Sequence, residues 1–393
     1  MNTPPKRITL SIVSLSIATA IWLPCMHFFY KQNTAHFHSG ADLPSKAREM
    51  AARHLHLWTK NKGQEIERMR ASNAEWDFMG RSFLVWSLAE MALRDPPSRA
   101  AYLEVMDQII RETLELEKER GFYFFSMPYA KSRPYIQQPT RSQFVDGEIA
   151  LMLAVRRLVE AKMEYKPLLH ERVGLIVERM KKSPALSAES YPDECWMLDN
   201  VVALVAIRIT DALDGEDHSD LIRDWLGMAK RKLIHAETGL LVSSFMFDGS
   251  HLDGPEGSSI WMVTHCLRLL DEDFARDQYR RAHKELGCAL MGFGWSREWP
   301  AAWQGARDID SGAVIPGLEI SAGGSGVAFI GASSFQDLEF LSNLHTTLDF
   351  AAFPKREQGR LKYCASNQVG DAALLYALVL GPLWEKVKQG VKP

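Results

Sequence analysis

The sequence has few cysteines and no excess of positive charge. Its 393 residues include five cysteines, which form no CxxC pair and no zinc spacing, so neither a disulfide framework nor a zinc site is expected. The formal net charge is -3, and no dense stripe of lysine and arginine is present. This balance argues against a nucleic-acid partner. We therefore expect no metal, no cofactor and no nucleic acid.

Strand-like patterns, repeats and linkers are also scarce. Only residues 239–247 and 326–332 alternate as strands do. No repeat of roughly 34 or 45 residues is present, which disfavours an open helical solenoid. Apolar residues instead recur at helical spacing in roughly ten to twelve segments. The sequence predicts one all-α domain, an (α/α)6 helical toroid whose inner helices line a central cavity, with few short strands in loops.

The N-terminus carries the signature of membrane targeting. Lys6 and Arg7 precede a nearly uncharged apolar stretch, residues 8–30. The small residues at 18–20 suit a cleaved signal peptide, whereas the length of the run, which reaches the ~20 residues of a membrane span, suits an uncleaved anchor. We predict a signal anchor or signal peptide at 1–33, a polar spacer at 34–44 and the toroid at 45–393. The toroid is expected outside the cytoplasm, in the cell envelope, either anchored to the inner membrane or periplasmic or secreted.

Acidic residues recur beside aromatic residues at the predicted starts of three helices, within residues 73–81, 140–148 and 191–200. One carboxylate at a helix start is usually a cap or a response to the helix dipole. Capping or the helix dipole alone is a strained explanation for three such motifs, each of which also carries an aromatic residue. In a toroid these helix starts could converge on one cavity, where aromatic faces stack on sugar rings and carboxylates bind hydroxyl groups.

Two carboxylates in different environments are also what acid–base cleavage of a glycosidic bond requires. The candidate catalytic residues are Asp77, Asp146, Glu194 and Asp199. The candidate substrate-binding residues are Trp76, Arg81, Arg141, Glu148, Tyr191, Trp196, His265, Trp299, Asn367 and Asp371. His265 can also be read as a core histidine, and Asp371 as a simple helix cap. Residues 365–384 are predicted to close the ring with a buried helix that starts near Gly370.

The helix count over about residues 50–390 resembles the six-hairpin toroid superfamily. That superfamily includes many glycoside hydrolases, some polysaccharide lyases and the linalool dehydratase/isomerase type. The dehydratase comparison depends on "YPDECWMLDN", residues 191–200, because a comparable segment of that family carries an acidic residue and two cysteines, the second followed by asparagine. Here Asn200 is kept, but Asp199 stands where the second cysteine would be, and Cys195 has no cysteine nearby.

The resemblance therefore implies a glycoside hydrolase or lyase that acts on an oligosaccharide. A dehydratase-like lyase of a small alcohol and a non-catalytic glycan-binding protein of the envelope are the alternatives.

Overall fold

The computed structural model describes residues 4–31, 42–60, 62–305, 307 and 312–390. Most of the predicted spacer 34–44 lies outside these ranges. The helices of the described residues are α1 (Pro4–Cys25), α2 (Ser45–Lys60), α3 (Lys62–Ser72), α4 (Ala74–Arg94), α5 (Arg99–Arg120), α6 (Gln143–Val159), α7 (Tyr165–Lys182), α8 (Met197–Asp214), α9 (Ser219–Lys232), α10 (Gly257–Leu267), α11 (Glu272–Leu286), α12 (Ala322–Ser334), α13 (Leu338–Ala351), α14 (Gln368–Val379) and α15 (Pro382–Lys388).

Six of these helices form a closed inner ring. In the order α4, α6, α8, α10, α12 and α14, each helix packs against the next, and α14 packs back against α4. The helices α2, α3, α5, α7, α11 and α13 pack against this ring from outside, and α9 holds the corresponding place after α8. The predicted (α/α)6 toroid is confirmed.

The sequence of each helix matches its layer. The inner helix α14 buries every residue from Asp371 to Val379, as expected for a helix with neighbours on most sides. The outer helix α11 buries only one face, built around Phe274 and Tyr279, and keeps a charged face toward solvent. The predicted role of α14 in closing the ring is confirmed by its packing on α4.

The short strands of the described residues lie in the loops. They are β1 (Cys195–Trp196), β2 (Ser244–Phe245), β3 (Gly287–Leu290), β4 (Phe293–Ser296), β5 (Val314–Ile315), β6 (Ile320–Ser321), β7 (Pro354–Glu357) and β8 (Arg360–Tyr363). They pair antiparallel as β1–β2, β3–β4–β6–β5 and β7–β8. Strand β4 packs against α12 and α13, and β8 packs against α2.

One of the two strand predictions is wrong. Residues 239–247 contain β2, but residues 326–332 lie within α12. The alternation there reflects small residues that let an inner helix approach its neighbour. A Cβ atom on Gly331 would lie 3.0 Å from the indole of Trp261 in α10, so the absence of a side chain permits this packing.

The two ends of the ring differ in loop length. The connections from outer to inner helices include 121–142, 183–196, 233–256, 287–321 and 352–367, whereas the return connections are the short turns 95–98, 160–164, 215–218, 268–271 and 335–337. We call the end with the long loops the mouth and the opposite end the base. All six inner helices begin at the mouth.

Candidate active site

The predicted helix starts converge on the mouth, and their carboxylates fall into three separate groups. Asp77 lies in the first turn of α4, Asp146 in that of α6, Asp199 in that of α8 and Asp371 in that of α14. Each belongs to an inner helix, so the chain brings them to the same end of the toroid. Their contacts then decide which of them face the ring interior.

Glu148 and Asp199 form the group that faces the interior. Both side chains are buried, and burial raises the pKa of Glu148 to about 7 and that of Asp199 to about 8. The negative charge of Glu148 raises the pKa of Asp199 further. The charge of Glu148 also acts on Cys266 of α10, a helix that is not a ring neighbour of α6. Glu148 therefore acts on groups of two inner helices, α8 and α10.

A glycine brings these two carboxylates together. A Cβ atom on Gly147 would lie 3.2 Å from the backbone oxygen of Asp199 and 3.3 Å from the Cβ of Ala203. Contacts this short leave little room for a side chain, so glycine allows α6 to approach α8 closely. The position next to Glu148 thus sets the separation of the two helices that carry the pair.

Glu194 and Trp196 stand beside Asp199 on the loop that leads into α8. The indole Nε1 of Trp196 donates a hydrogen bond to Glu194 Oε1, and the charge of Glu194 contributes to the raised pKa of Asp199. Asn200 holds this loop: its Nδ2 donates to the backbone oxygens of Ala188 (3.1 Å) and Trp196 (2.9 Å), and its Oδ1 accepts from the Ala188 N–H (2.9 Å). The stretch 191–200 is thus one wall of the mouth.

Asp146 belongs to a different environment, two residues before Glu148. Arg141 Nε donates to Asp146 Oδ2 at 2.7 Å, Arg172 Nη1 donates to Oδ1 at 2.6 Å, and Arg179 Nη1 lies 3.7 Å away. Burial alone would raise the pKa of Asp146, but these guanidinium groups lower it. Asp146 therefore ties α6 to the outer helix α7 through Arg172 and Arg179. The structure does not bring Asp146 or Arg141 to the Glu148–Asp199 pair.

Asp77 and Arg81 line a small cavity between α4 and the outer layer. Burial raises the pKa of Asp77, and Arg81 Nε, 3.3 Å from its Oδ2, opposes that rise. The cavity is also lined by Trp76 and His54.

An adjoining cavity is lined by Asp371 and Asn367, and the two cavities share His54. Burial raises the pKa of Asp371 to about 7. The helix cap is Asn367, whose Oδ1 accepts from the Gly370 N–H at 2.9 Å. Asp371 is therefore not the cap, and it faces α2 and β8 rather than Asp199.

The remaining predicted binding residues are spread between the mouth and the base. The hydroxyl of Tyr191 donates to Glu75 and its ring stacks on Tyr129, with centroids 4.3 Å apart. Trp299 is largely buried, with the Arg307 guanidinium 5.7 Å above its ring. Tyr191 thus braces the mouth, and Trp299 lies in the long 287–321 loop.

His265 lies near the base, at the end of α10. Its Nδ1 is 2.6 Å from Ser334 Oγ, its Nε2 is 2.8 Å from the Tyr376 hydroxyl, and its ring stacks on Trp384. Burial lowers its pKa well below the usual range. These are the contacts of a neutral core histidine.

Sequence reasoning missed two buried glutamates that shape the mouth. Glu298 accepts hydrogen bonds from the hydroxyls of Ser258 and Ser321 and so joins the starts of α10 and α12. Glu189 accepts from the N–H groups of Gln137 (2.7 Å) and Asp193 (2.7 Å). Neither residue opens a helix, so the pattern of acids at helix starts could not find them.

Cys195, on which the dehydratase comparison depended, is fully buried in β1. Burial raises the pKa of its thiol well above the usual range. Since the thiolate is the reactive form of cysteine, this thiol is unsuited to acid–base chemistry.

Comparison with known proteins identifies the class of fold. No family model and no curated protein sequence matches the chain. Among solved structures, an unsaturated glucuronyl hydrolase from Bacillus sp. GL1 aligns with a TM-score of 0.54 at 12% identity, covering 85% of this chain and 94% of that one. A family 105 glycoside hydrolase from C. acetobutylicum aligns with a TM-score of 0.52 at 11% identity, covering 87% and 99%. The predicted likeness to the six-hairpin toroids is thereby confirmed at the level of the fold.

Proposed function

We propose that the chain is a carbohydrate-active enzyme that cleaves a glycan at the mouth of the toroid. The observation that carries the proposal is the cluster of Glu148, Glu194 and Asp199, in which one carboxyl group has its pKa raised to about 8. At neutral pH Asp199 keeps its proton, as a general acid must. The two solved structures above, which share the fold, are named as carbohydrate hydrolases, and this adds support for a glycan substrate.

In the proposed mechanism Asp199 donates its proton to the oxygen of the bond that breaks. Glu194, which is partly exposed, receives a proton either from an attacking water, in hydrolysis, or from a sugar carbon, in elimination. The Trp196 indole orients the Glu194 carboxylate. Glu148 is a positioning residue, because its charge adds to the effect of burial in raising the pKa of Asp199. Trp196, which is partly exposed, offers an aromatic face to a sugar ring.

The test is a screen of envelope polysaccharides and their oligosaccharides with the full chain, with products detected by mass spectrometry. Hydrolysis adds the mass of one water to the products, whereas elimination adds none and leaves an unsaturated sugar. Asp199→Asn and Glu194→Gln should each lower turnover by about 10³-fold or more, without a matching loss of thermal stability.

The matched control is Glu216→Gln, at the other end of α8, which should leave turnover unchanged. Full turnover in both mouth variants would refute the assignment. Glycan binding without any product, in the unmodified chain, would instead indicate a non-catalytic binding protein.

We further propose that the toroid is extracytoplasmic and is attached through α1. Among the described residues, Arg7–Phe29 is the one helical stretch that is long and apolar enough to cross a membrane, and no residue of its apolar 18-residue window is buried. Edman sequencing of the mature protein from membranes would separate an anchor, which keeps residues 1–20, from a signal peptide, which loses them.

A further inference from the structure

One part of the mouth exposes large apolar side chains close to the end of α1. This surface, the apolar rim, consists of the exposed side chains of Phe29, Leu290, Met291, Phe350 and Phe353. The side chain of Phe353 is 65% exposed. Isolated exposed apolar residues are ordinary, but a contiguous group marks an interaction surface. The rim combines the turn between β3 and β4 with the end of α13, two features that lie at the mouth.

The rim is continuous with the segment that follows α1. His27 packs against the β3–β4 turn so closely that a Cβ atom on Gly292 would lie 2.5 Å from its ring. The ring of Tyr30 meets that of Phe350 edge-on at 5.3 Å, and Phe350 in turn meets Phe293 at 5.4 Å. The segment that follows α1 is therefore docked on the rim.

Positive charge lies next to the rim. Directly after Phe353, the β7–β8 hairpin carries Lys355, Arg356, Arg360 and Lys362. Glu357 pairs with Lys355, and Glu49 of α2 pairs with Arg356, so positive charge remains in excess. Basic residues beside an exposed apolar surface are the combination that binds anionic lipid headgroups while apolar side chains enter the acyl boundary.

We propose that the apolar rim and the basic hairpin lie in the interface of an anionic phospholipid bilayer, which holds the mouth of the toroid beside the membrane surface. The inference rests on the proposed attachment through α1. A mouth in this position meets glycans that are carried at the membrane surface before it meets glycans free in solution, which narrows the substrate class of the proposed enzyme.

The experiment places the photo-crosslinking residue p-benzoylphenylalanine at one position at a time in the full chain, in nanodiscs that contain phosphatidylglycerol. The test position is Phe353. The control is Met163, which is 74% exposed but lies in a short turn at the base. The reference for membrane contact is Leu15, an exposed position of α1. Lipid adducts are then counted by mass spectrometry after irradiation.

We expect lipid adducts at Leu15 and Phe353, with at least about tenfold fewer at Met163. Adducts at Leu15 but no more at Phe353 than at Met163 would overturn the inference while leaving the anchor intact. Absence of adducts at both Leu15 and Phe353 would overturn both. Crosslinks from Phe353 to a second copy of the chain would show that protein, not lipid, covers the rim. None of these results depends on glycan turnover, so the proposed catalysis stands or fails separately.

Discussion

Replacing Asp199 with asparagine should stabilise the fold at neutral pH while abolishing activity. The pKa of this carboxyl group is raised from its ordinary value of 3.8 to about 8, chiefly by burial. A carboxyl group with a raised pKa stabilises the fold fully below its ordinary pKa, and that contribution is lost as the pH rises toward the folded value. Asparagine has no proton to lose, so the variant escapes this loss.

The magnitude follows from the size of the shift. Between pH 4 and pH 7 the unfolded chain ionises Asp199 and the folded chain does not, so each pH unit removes about 1.4 kcal/mol from the free energy of unfolding. Over three units the unmodified chain loses about 4 kcal/mol relative to Asp199→Asn. For a domain of roughly 350 residues this corresponds to a relative shift of about 5 °C in the melting temperature.

The assay is thermal unfolding of both proteins from pH 4 to pH 8, followed by circular dichroism. The matched control is Asp146→Asn, at an equivalent place in α6, where arginines lower the pKa. Because the pKa of Asp146 is lowered below its ordinary value of 3.8, its stabilising contribution is present over the whole assay range and is lost only in stronger acid. This substitution should therefore destabilise by about 3 kcal/mol or more, and by nearly the same amount at every pH of the assay. If the melting temperature of Asp199→Asn differed from that of the unmodified chain by the same amount at every pH, a buried, protonated Asp199 would be refuted.

Three further predictions follow from neighbouring contacts. Glu148→Gln should raise the free energy of unfolding by about 3 kcal/mol at pH 7, because the pKa of Glu148 is raised to about 7. The same variant should move the alkaline limb of the activity profile to lower pH, because removing the charge of Glu148 lowers the pKa of Asp199. An alkaline limb that does not move would contradict the coupling between the two carboxyl groups. Asn367→Ala should cost about 1 kcal/mol in chemical denaturation, as loss of a helix cap does, and a loss of activity out of proportion to this would instead support its predicted binding role. His265→Phe should cost about 2 kcal/mol by the same method, since the hydroxyls of Ser334 and Tyr376 lose a buried partner, and the pH profile of activity should stay the same; a changed profile would indicate a proton carrier.

The layered fold could be predicted because inner and outer helices differ in amphipathicity, which is a property of local sequence. The division of the carboxylates among separate environments at the mouth could not be predicted. Asp146 and Glu148 are two residues apart, so they leave α6 on different faces. Asp146 meets Arg172 and Arg179, which lie on the next helix of the chain. No spacing within residues 140–148 reveals these partners. The nearby Arg141 was predicted to bind substrate, whereas in the structure it forms an ion pair with Asp146.

The sequence indicated the position of the carboxylates of residues 191–200 better than that of the carboxylates of α6. Asp199 and Glu194 precede a buried run beside Trp196, and all three remain at the mouth. The long loops were harder to interpret, because their structure depends on contacts between loops that are distant in sequence. Glu189, for example, accepts hydrogen bonds from Ile136 and Gln137 in the 121–142 connection.

The packing of α14 on α4 also governs when the molecule can be completed during synthesis. Ser87 of α4 donates a hydrogen bond to the backbone oxygen of Ala372, 285 residues further along the chain. Because a chain is synthesised from its N-terminus to its C-terminus, one apolar face of α4 stays uncovered until α14 has been made. A chain that stops before residue 368 would be a ring with an open seam rather than a smaller ring, and its uncovered flank would favour aggregation.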